Sequence, residues 1–282
     1  MHMGSAAFYV LGHATVAALY LLMTAITWRA LRGDEALRWS NWRRLLVPVI
    51  AAGHVFVLVH AVVGSGEFRF GFAHALSATL LLAVLIIWIE GFFVPMRGLD
   101  MLVFPVAAVC AVLPAAFHGS AVSAAADTGA LRVHLAMAIS AYSFLTIAAL
   151  HALLMASIDR QLHSALGAPD RATSRWLAQM PPLLAMERML FRLIASGFAL
   201  LTLTLVSGIF FSEALFGRAL RFDHKTVFTI ASWFVFAGLL AGRFVFGWRG
   251  RKALRWTLAG FLMLMLAYVG SRFVLEVILH RV

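Results

Sequence analysis

Eight runs of about 20 apolar residues, separated by short polar connections, leave this 282-residue chain few ways to fold. Inside a bilayer every backbone N–H and C=O needs a partner from the chain itself, so runs of this length must be helices. They are placed near 5–28, 45–63, 70–88, 100–116, 131–158, 189–211, 225–246 and 254–278. Composition agrees: 63% of residues are hydrophobic and 12% charged, against roughly 25% charged in soluble domains. The expected fold is all-α, a polytopic membrane bundle of about eight transmembrane helices in a single transmembrane domain. Gly167, Pro169 and the pair Pro181-Pro182 break helix in the longest connection. That connection divides the chain into a five-helix part at 1–158, a cytoplasmic loop at 159–188 and a three-helix part at 189–282.

The formal charge of +11 invites a nucleic-acid partner until the positions of the basic residues are considered. They sit in short loops, and sixteen of the 23 fall in alternate connections, among them Arg43, Arg44, Arg192, Arg249 and Arg251. Lys and Arg accumulate on the cytoplasmic side, so both termini are expected outside, and nucleic acid is excluded as a partner. Seven of the eight tryptophans then fall at the inner boundary, as an interfacial belt would. The first apolar run lacks a basic leader and a small-residue cleavage site, and is expected to stay as an anchor. Gly238 and Gly242 make a small-xxx-small step, read as helix packing. The lone cysteine, Cys110, has no CxxC partner, which excludes a disulfide framework and covalent haem attachment. No HExxH, phosphate loop, nucleophile elbow or pair of intramembrane carboxylates occurs, so no enzyme activity is expected.

Eleven histidines in so apolar a chain require a reason, because polar groups within a bilayer are costly. Given the orientation above, His2, His13, His60, His74, His118, His134, His224 and His280 belong to the outer half, and only His151 and His163 to the inner side. His54 falls roughly 13 Å into its helix, too deep to reach water, and must be hydrogen-bonded or ligated. His60 and His74 flank the short hairpin at 64–69 and are placed to face one another. A neutral imidazole can lie in an apolar site and ligate haem iron, which makes a haem site the leading hypothesis. Hydrogen bonding to a neighbouring carbonyl or lipid headgroup is the ordinary use of each ring taken singly. Zinc sites want close spacing such as i, i+4 or nearby carboxylates, and neither is evident.

From Leu131 onward the chain resembles the CcsA family of cytochrome c assembly proteins, and more closely its YpjD- and HemX-like members. The helix from His134 through Ser140 and Tyr142 to Leu150 is similar to a family helix that opens with an external haem-ligating histidine. Glu187, Arg188, Arg192, Gly197-Phe198, Leu201-Thr202 and Ser207-Gly208 match the helix leading to the family's external haem segment. Phe222-Asp223-His224-Lys225-Thr226 stands in that segment's place, followed by Trp233, by Gly247 to Arg251 and by Ala267 to Phe273. The platform tryptophans are absent between Ser212 and Arg221, so the surface for stacking on haem, and with it presentation to an apocytochrome, is not carried over.

The resemblance implies a bacterial inner-membrane protein that binds haem b non-covalently, with His134 as external ligand. A second ligand would be His280, one position out of step with the family, or His224. By the same analogy His54 would be an intramembrane ligand. Arg272 either holds a haem propionate or simply pairs with Glu276, four residues on. Implied partners are haem, membrane lipids, and other cytochrome assembly proteins or an apocytochrome. Two readings compete: a b-type cytochrome exchanging electrons with quinone, and a transporter without haem. The first wants histidine pairs at both depths and the second intramembrane carboxylates, and the sequence offers neither.

Overall fold

The computed structural model describes residues 3–32, 36–64, 66–93, 97–122, 128–164, 181–216 and 224–271. Among these are helices α1 (Met3–Arg32), α2 (Ala36–Val63), α3 (Phe72–Glu90), α4 (Arg97–Ala116), α5 (Gly129–Ser164), α6 (Leu183–Phe216), α7 (His224–Phe246) and α8 (Gly250–Met265). The last runs on into a π-turn at Leu266–Gly270. All eight are long and apolar enough to cross a membrane, as expected. They overrun the expected spans where the arginines lie. The starts of α2 and α6 and the end of α5 continue through charged residues, because an apolar run marks the bilayer and a helix ends only at a breaker. Pro182 opens α6, its carbonyl accepting from the amides of Ala185 and Met186.

Unforeseen in the sequence, β1 (Arg69–Phe70) and β2 (Ser120–Ala121) pair antiparallel, with Arg69 opposite Ala121 and Phe70 opposite Ser120. This ribbon ties the α2–α3 connection to the α4–α5 connection and marks one end of the bundle, here the ribbon end. The opposite end, which carries most of the arginines, is the arginine end.

α1 packs on α4, α3 on α4 and α5, α5 on α6 and α8, and α7 on α8. The shared core contains Tyr20, Phe104, Leu145, Leu190, Ile194 and Phe236. Exposed Leu21, Phe56, Phe210 and Phe244 cover the outer surface, the arrangement lipid requires. Hydroxyls join helices through backbone carbonyls: Ser143 Oγ donates to Thr79 O at 2.9 Å, Ser232 Oγ to Gly260 O at 2.8 Å and Tyr142 Oη to Leu264 O at 2.8 Å. The Gly238–Gly242 step does serve packing. A Cβ on Gly238 would stand 3.2 Å from Trp256, and one on Gly242 2.4 Å from Trp248. Trp256 of α8 therefore fills the space beside Gly238, and Trp248, on the turn after α7, the space beside Gly242.

Ion pairs knit the arginine end. Arg192 meets Glu90 at 2.6 Å, Arg243 meets Glu187 at 2.7 Å and Arg251 meets Asp159 at 2.7 Å. Among the described residues the most enclosed pair is Arg43 with Asp100, whose side chains are 11% and 3% exposed. Arg43 grips both carboxylate oxygens, Nε to Oδ2 at 2.7 Å and Nη2 to Oδ1 at 2.9 Å, and also donates to Ile87 O at 2.9 Å. One guanidinium thus joins α2, α3 and α4. Arg43→Ala strands a buried carboxylate and should cost about 3–5 kcal/mol, whereas Arg43→Met with Asp100→Leu should recover most of it. Thermal unfolding of the purified variants checks this, and an unchanged midpoint for Arg43→Ala would reject the role.

Candidate functional site

The C-terminal site is assembled where four elements meet at the ribbon end. His134 lies in the second turn of α5, half-buried, with its Nδ1 2.9 Å from Ser207 Oγ on α6. Ser207 Oγ in turn donates to Thr204 O at 3.1 Å. A hydroxyl has one proton, so an Oγ that donates to a carbonyl receives from the imidazole. With the serine proton on the carbonyl, Nδ1 donates and Nε2 keeps the lone pair, the tautomer an iron ligand needs; with it on Nδ1 the roles reverse. Gly208, the next residue along, makes room for the ring: a Cβ there would approach His134 Cε1 to 3.4 Å.

Lys225, in the first turn of α7, acts electrostatically on His134 and sets its ammonium 5.5 Å from the centre of the Tyr268 ring. Tyr268 belongs to the π-turn and meets Tyr142 of α5 edge-on, with centroids 6.2 Å apart. π-turns inside helices are rare and often accompany functional sites. Trp233, one of the residues of the family resemblance, donates from Nε1 to Thr202 Oγ1 at 2.9 Å and so fastens α7 to α6.

Of the other sequence candidates, His224 begins α7 beside Lys225 and is exposed. Arg272 and His280 lie outside the described residues, as do Glu276 and Asp223. His54 is fully buried, with Nδ1 3.1 Å from Tyr20 Oη and Nε2 2.8 Å from Ser77 Oγ. Of the two fates expected for it, hydrogen bonding is the one seen, and iron at this ring would have to replace one of those partners. His151 is buried and donates from Nε2 to Met186 O at 2.9 Å, the ordinary use of a core imidazole. His60 and His74 do not form the expected facing pair. His60 is exposed at the end of α2, while His74 is fully buried and lies in the fields of His13 and His118.

Sequence reasoning missed the aromatic and hydroxyl partners, Tyr20 and Ser77 for His54 and Tyr9 for His13. One signal was present: Tyr9, His13 and Tyr20 fall at i, i+4 and i+11, a single face of α1.

The ribbon end thus carries a half-buried imidazole, His134, with the Lys225 ammonium acting on it and the Tyr268 ring beside that ammonium. Imidazole and ammonium are donors of the kinds that meet haem iron and a haem carboxylate. Together the spans and this site define a multi-pass helical membrane protein with an imidazole-centred site at one end. The family described as Cytochrome C assembly protein matches residues 39–279, and the chain belongs to that family. Among curated proteins it is 40% identical over 151 residues to the inner membrane protein YpjD of Escherichia coli strain K12, covering 54% of each chain. It is 37% identical over 147 residues to an uncharacterized 28.8 kDa protein of Azospirillum brasilense, covering 52% of each. It is also 29% identical over 91 residues to the cytochrome c biogenesis protein CcsA of Gloeobacter violaceus, covering 32% of this chain and 27% of that one. The chain thus spans about half the length of the first two of these relatives. No solved structure matches it.

Tyr20→Phe should leave one nitrogen of His54 without its partner in the core and lower stability by about 1–3 kcal/mol. Thermal unfolding in detergent measures it, and a variant as stable as wild type would mean that the Tyr20 hydroxyl does not hold that ring.

Proposed function

We propose that this protein handles haem at the extracytoplasmic face of the bacterial inner membrane, in the service of cytochrome c assembly or haem homeostasis. The ribbon end faces outward and the arginine end meets the cytoplasm, following the distribution of basic residues. Family membership and an inner-membrane relative support that setting.

The observation that carries the reading is the chain from His134 Nδ1 to Ser207 Oγ to Thr204 O. It orients the ring, and with Nδ1 donating to the serine the nitrogen that would meet iron is Nε2. When bound, haem b would supply an iron centre held without covalent links, consistent with a chain whose single cysteine is buried on α4. Lys225 offers its charge to a propionate, while Tyr142 and Tyr268 keep water from the ring edge. His224, on the turn that carries Lys225, and His280 are the candidates for the second axial position. In this assignment the chain captures and shields its cargo rather than displaying it, because the tryptophan platform of the assembly proteins is absent between Ser212 and Arg221.

Purified protein titrated with haem should develop a Soret band of six-coordinate, bis-imidazole type. His134→Ala should abolish or greatly weaken it, and Ser207→Ala should lower haem affinity about 10–100-fold by releasing the ring. Absence of any Soret band, or a wild-type titration by His134→Ala, would overturn the assignment. Comparing His224→Ala with His280→Ala then names the second ligand.

A further inference from the structure

Arg192 stands within the apolar run at 189–211, where a charged side chain is costly and is usually kept for a purpose. Its Nη2 donates to Glu90 Oε2 at 2.6 Å, and the two side chains are 60% and 24% exposed. Arg43, by contrast, engages both oxygens of Asp100. A guanidinium has five N–H donors and a carboxylate two oxygens, so a bond from one nitrogen to one oxygen leaves both groups with capacity to spare. Aromatic rings set the level of the pair in the membrane. On the same turn as Glu90, Trp88 meets Phe92 edge-on at 5.0 Å and donates to Arg44 O, and Arg44 stands 5.3 Å from the Phe92 ring centre. Tryptophan and arginine so combined mark the headgroup region.

Beside the pair is a cavity of about 360 Å³, lined by Glu90 of α3, Phe144 of α5, and Arg192, Leu193, Ala195 and Ser196 of α6. α3 and α6 both pack on α5, and the cavity lies between them. Gly197 brings α6 onto α5 so closely that a Cβ there would come 3.2 Å from Phe144 Cβ and 2.7 Å from Leu145. That close approach fixes how the two helices sit beside the cavity. From Ser196 the exposed face of α6 continues through Ala199, Leu203, Val206 and Phe210, three and four residues apart and therefore in one line. Polar groups thus stand at one end of an apolar track roughly 27 Å long from Arg192 to Phe210.

We propose that this cavity seats the headgroup of one phospholipid from the leaflet at the arginine end, of the class that carries both a phosphate and a primary ammonium, as phosphatidylethanolamine does. Arg192 takes a phosphate oxygen in a charge-assisted contact, Ser196 adds a hydroxyl donor, Glu90 accepts from the ammonium, and an acyl chain lies along the α6 track. Charge selects the headgroup. The side-by-side charges of Arg192 and Glu90 cancel, so an anionic headgroup such as phosphatidylglycerol meets an opposing carboxylate, whereas a zwitterion meets its complement at both ends. Phosphatidylcholine has the same charges, but its trimethylated nitrogen has no N–H to give Glu90. The volume is at the lower end of the roughly 300–1,000 Å³ of small-ligand sites, the size of a headgroup rather than of a whole lipid.

The full chain, delipidated in detergent, is titrated with each of the three lipids, and native mass spectrometry counts the lipid molecules that remain bound. Wild type should retain one phosphatidylethanolamine at least about tenfold more tightly than either of the others. Arg192→Gln should weaken that retention by a similar factor, and Glu90→Gln should remove the preference over phosphatidylglycerol. Arg251→Gln, at another exposed arginine of the same end, should change neither. Equal retention of the three lipids, no retention, unchanged behaviour of both Arg192→Gln and Glu90→Gln, or an equal loss in Arg251→Gln overturns the proposal. So does displacement of the lipid by inorganic phosphate, since the site would then be one for the free anion. Should Arg192→Gln fail to fold, Ser196→Trp decides, because it fills the cavity from an exposed position and leaves both charges in place: lost retention supports the site, and undiminished retention overturns it.

Discussion

A polar side chain within a bilayer has no water to turn to, and this constraint orders the interior of the protein. His13 turns to a carbonyl on α4, His134 to a serine on α6, His151 to a carbonyl on α6, and His54 to a tyrosine and a serine on two other helices. Each bond joins helices that apolar contact alone would leave free to slide. For His13 and His151, whose partners are carbonyls, it also decides which nitrogen carries the proton. Packing and chemistry are therefore set by the same contacts, and a hydroxyl removed for a structural reason also changes what an imidazole can ligate.

The two ends of the bundle are stabilised by different means. At the arginine end, carboxylates and guanidinia face one another across helix termini, and the Arg43–Asp100 pair is enclosed enough to act as a fixed joint. The ribbon end has a two-stranded ribbon, stacked rings such as Phe68 and Phe70, and Arg132 5.9 Å from the Phe68 ring centre. His134 lies at the ribbon end, near the start of α5.

The eight spans were legible because bilayer thickness sets a minimum apolar length that the chain meets eight times. His134 was legible through the company it keeps in the family resemblance, and the need to satisfy His54 through its depth. Partner choice was not. His13 bonds a carbonyl 98 residues away and His134 a hydroxyl 73 residues away. Which of eight similar cylinders stand side by side depends on contacts that no periodicity encodes. The ribbon escaped for a related reason, since two strands of two residues each form only after α2 to α5 bring their connections together. The helix overruns escaped because apolar length reports the bilayer, whereas helix length reports the next breaker.

α5 carries a mechanical consequence of its own. At 36 residues it is roughly 54 Å long, well beyond a hydrocarbon layer of about 30 Å. His134 sits on its second turn, and Asp159, which holds Arg251 of α8, near the other end. An unbroken rod of this kind joins the two ends of the bundle: any tilt imposed near His134 also displaces the Asp159–Arg251 clasp.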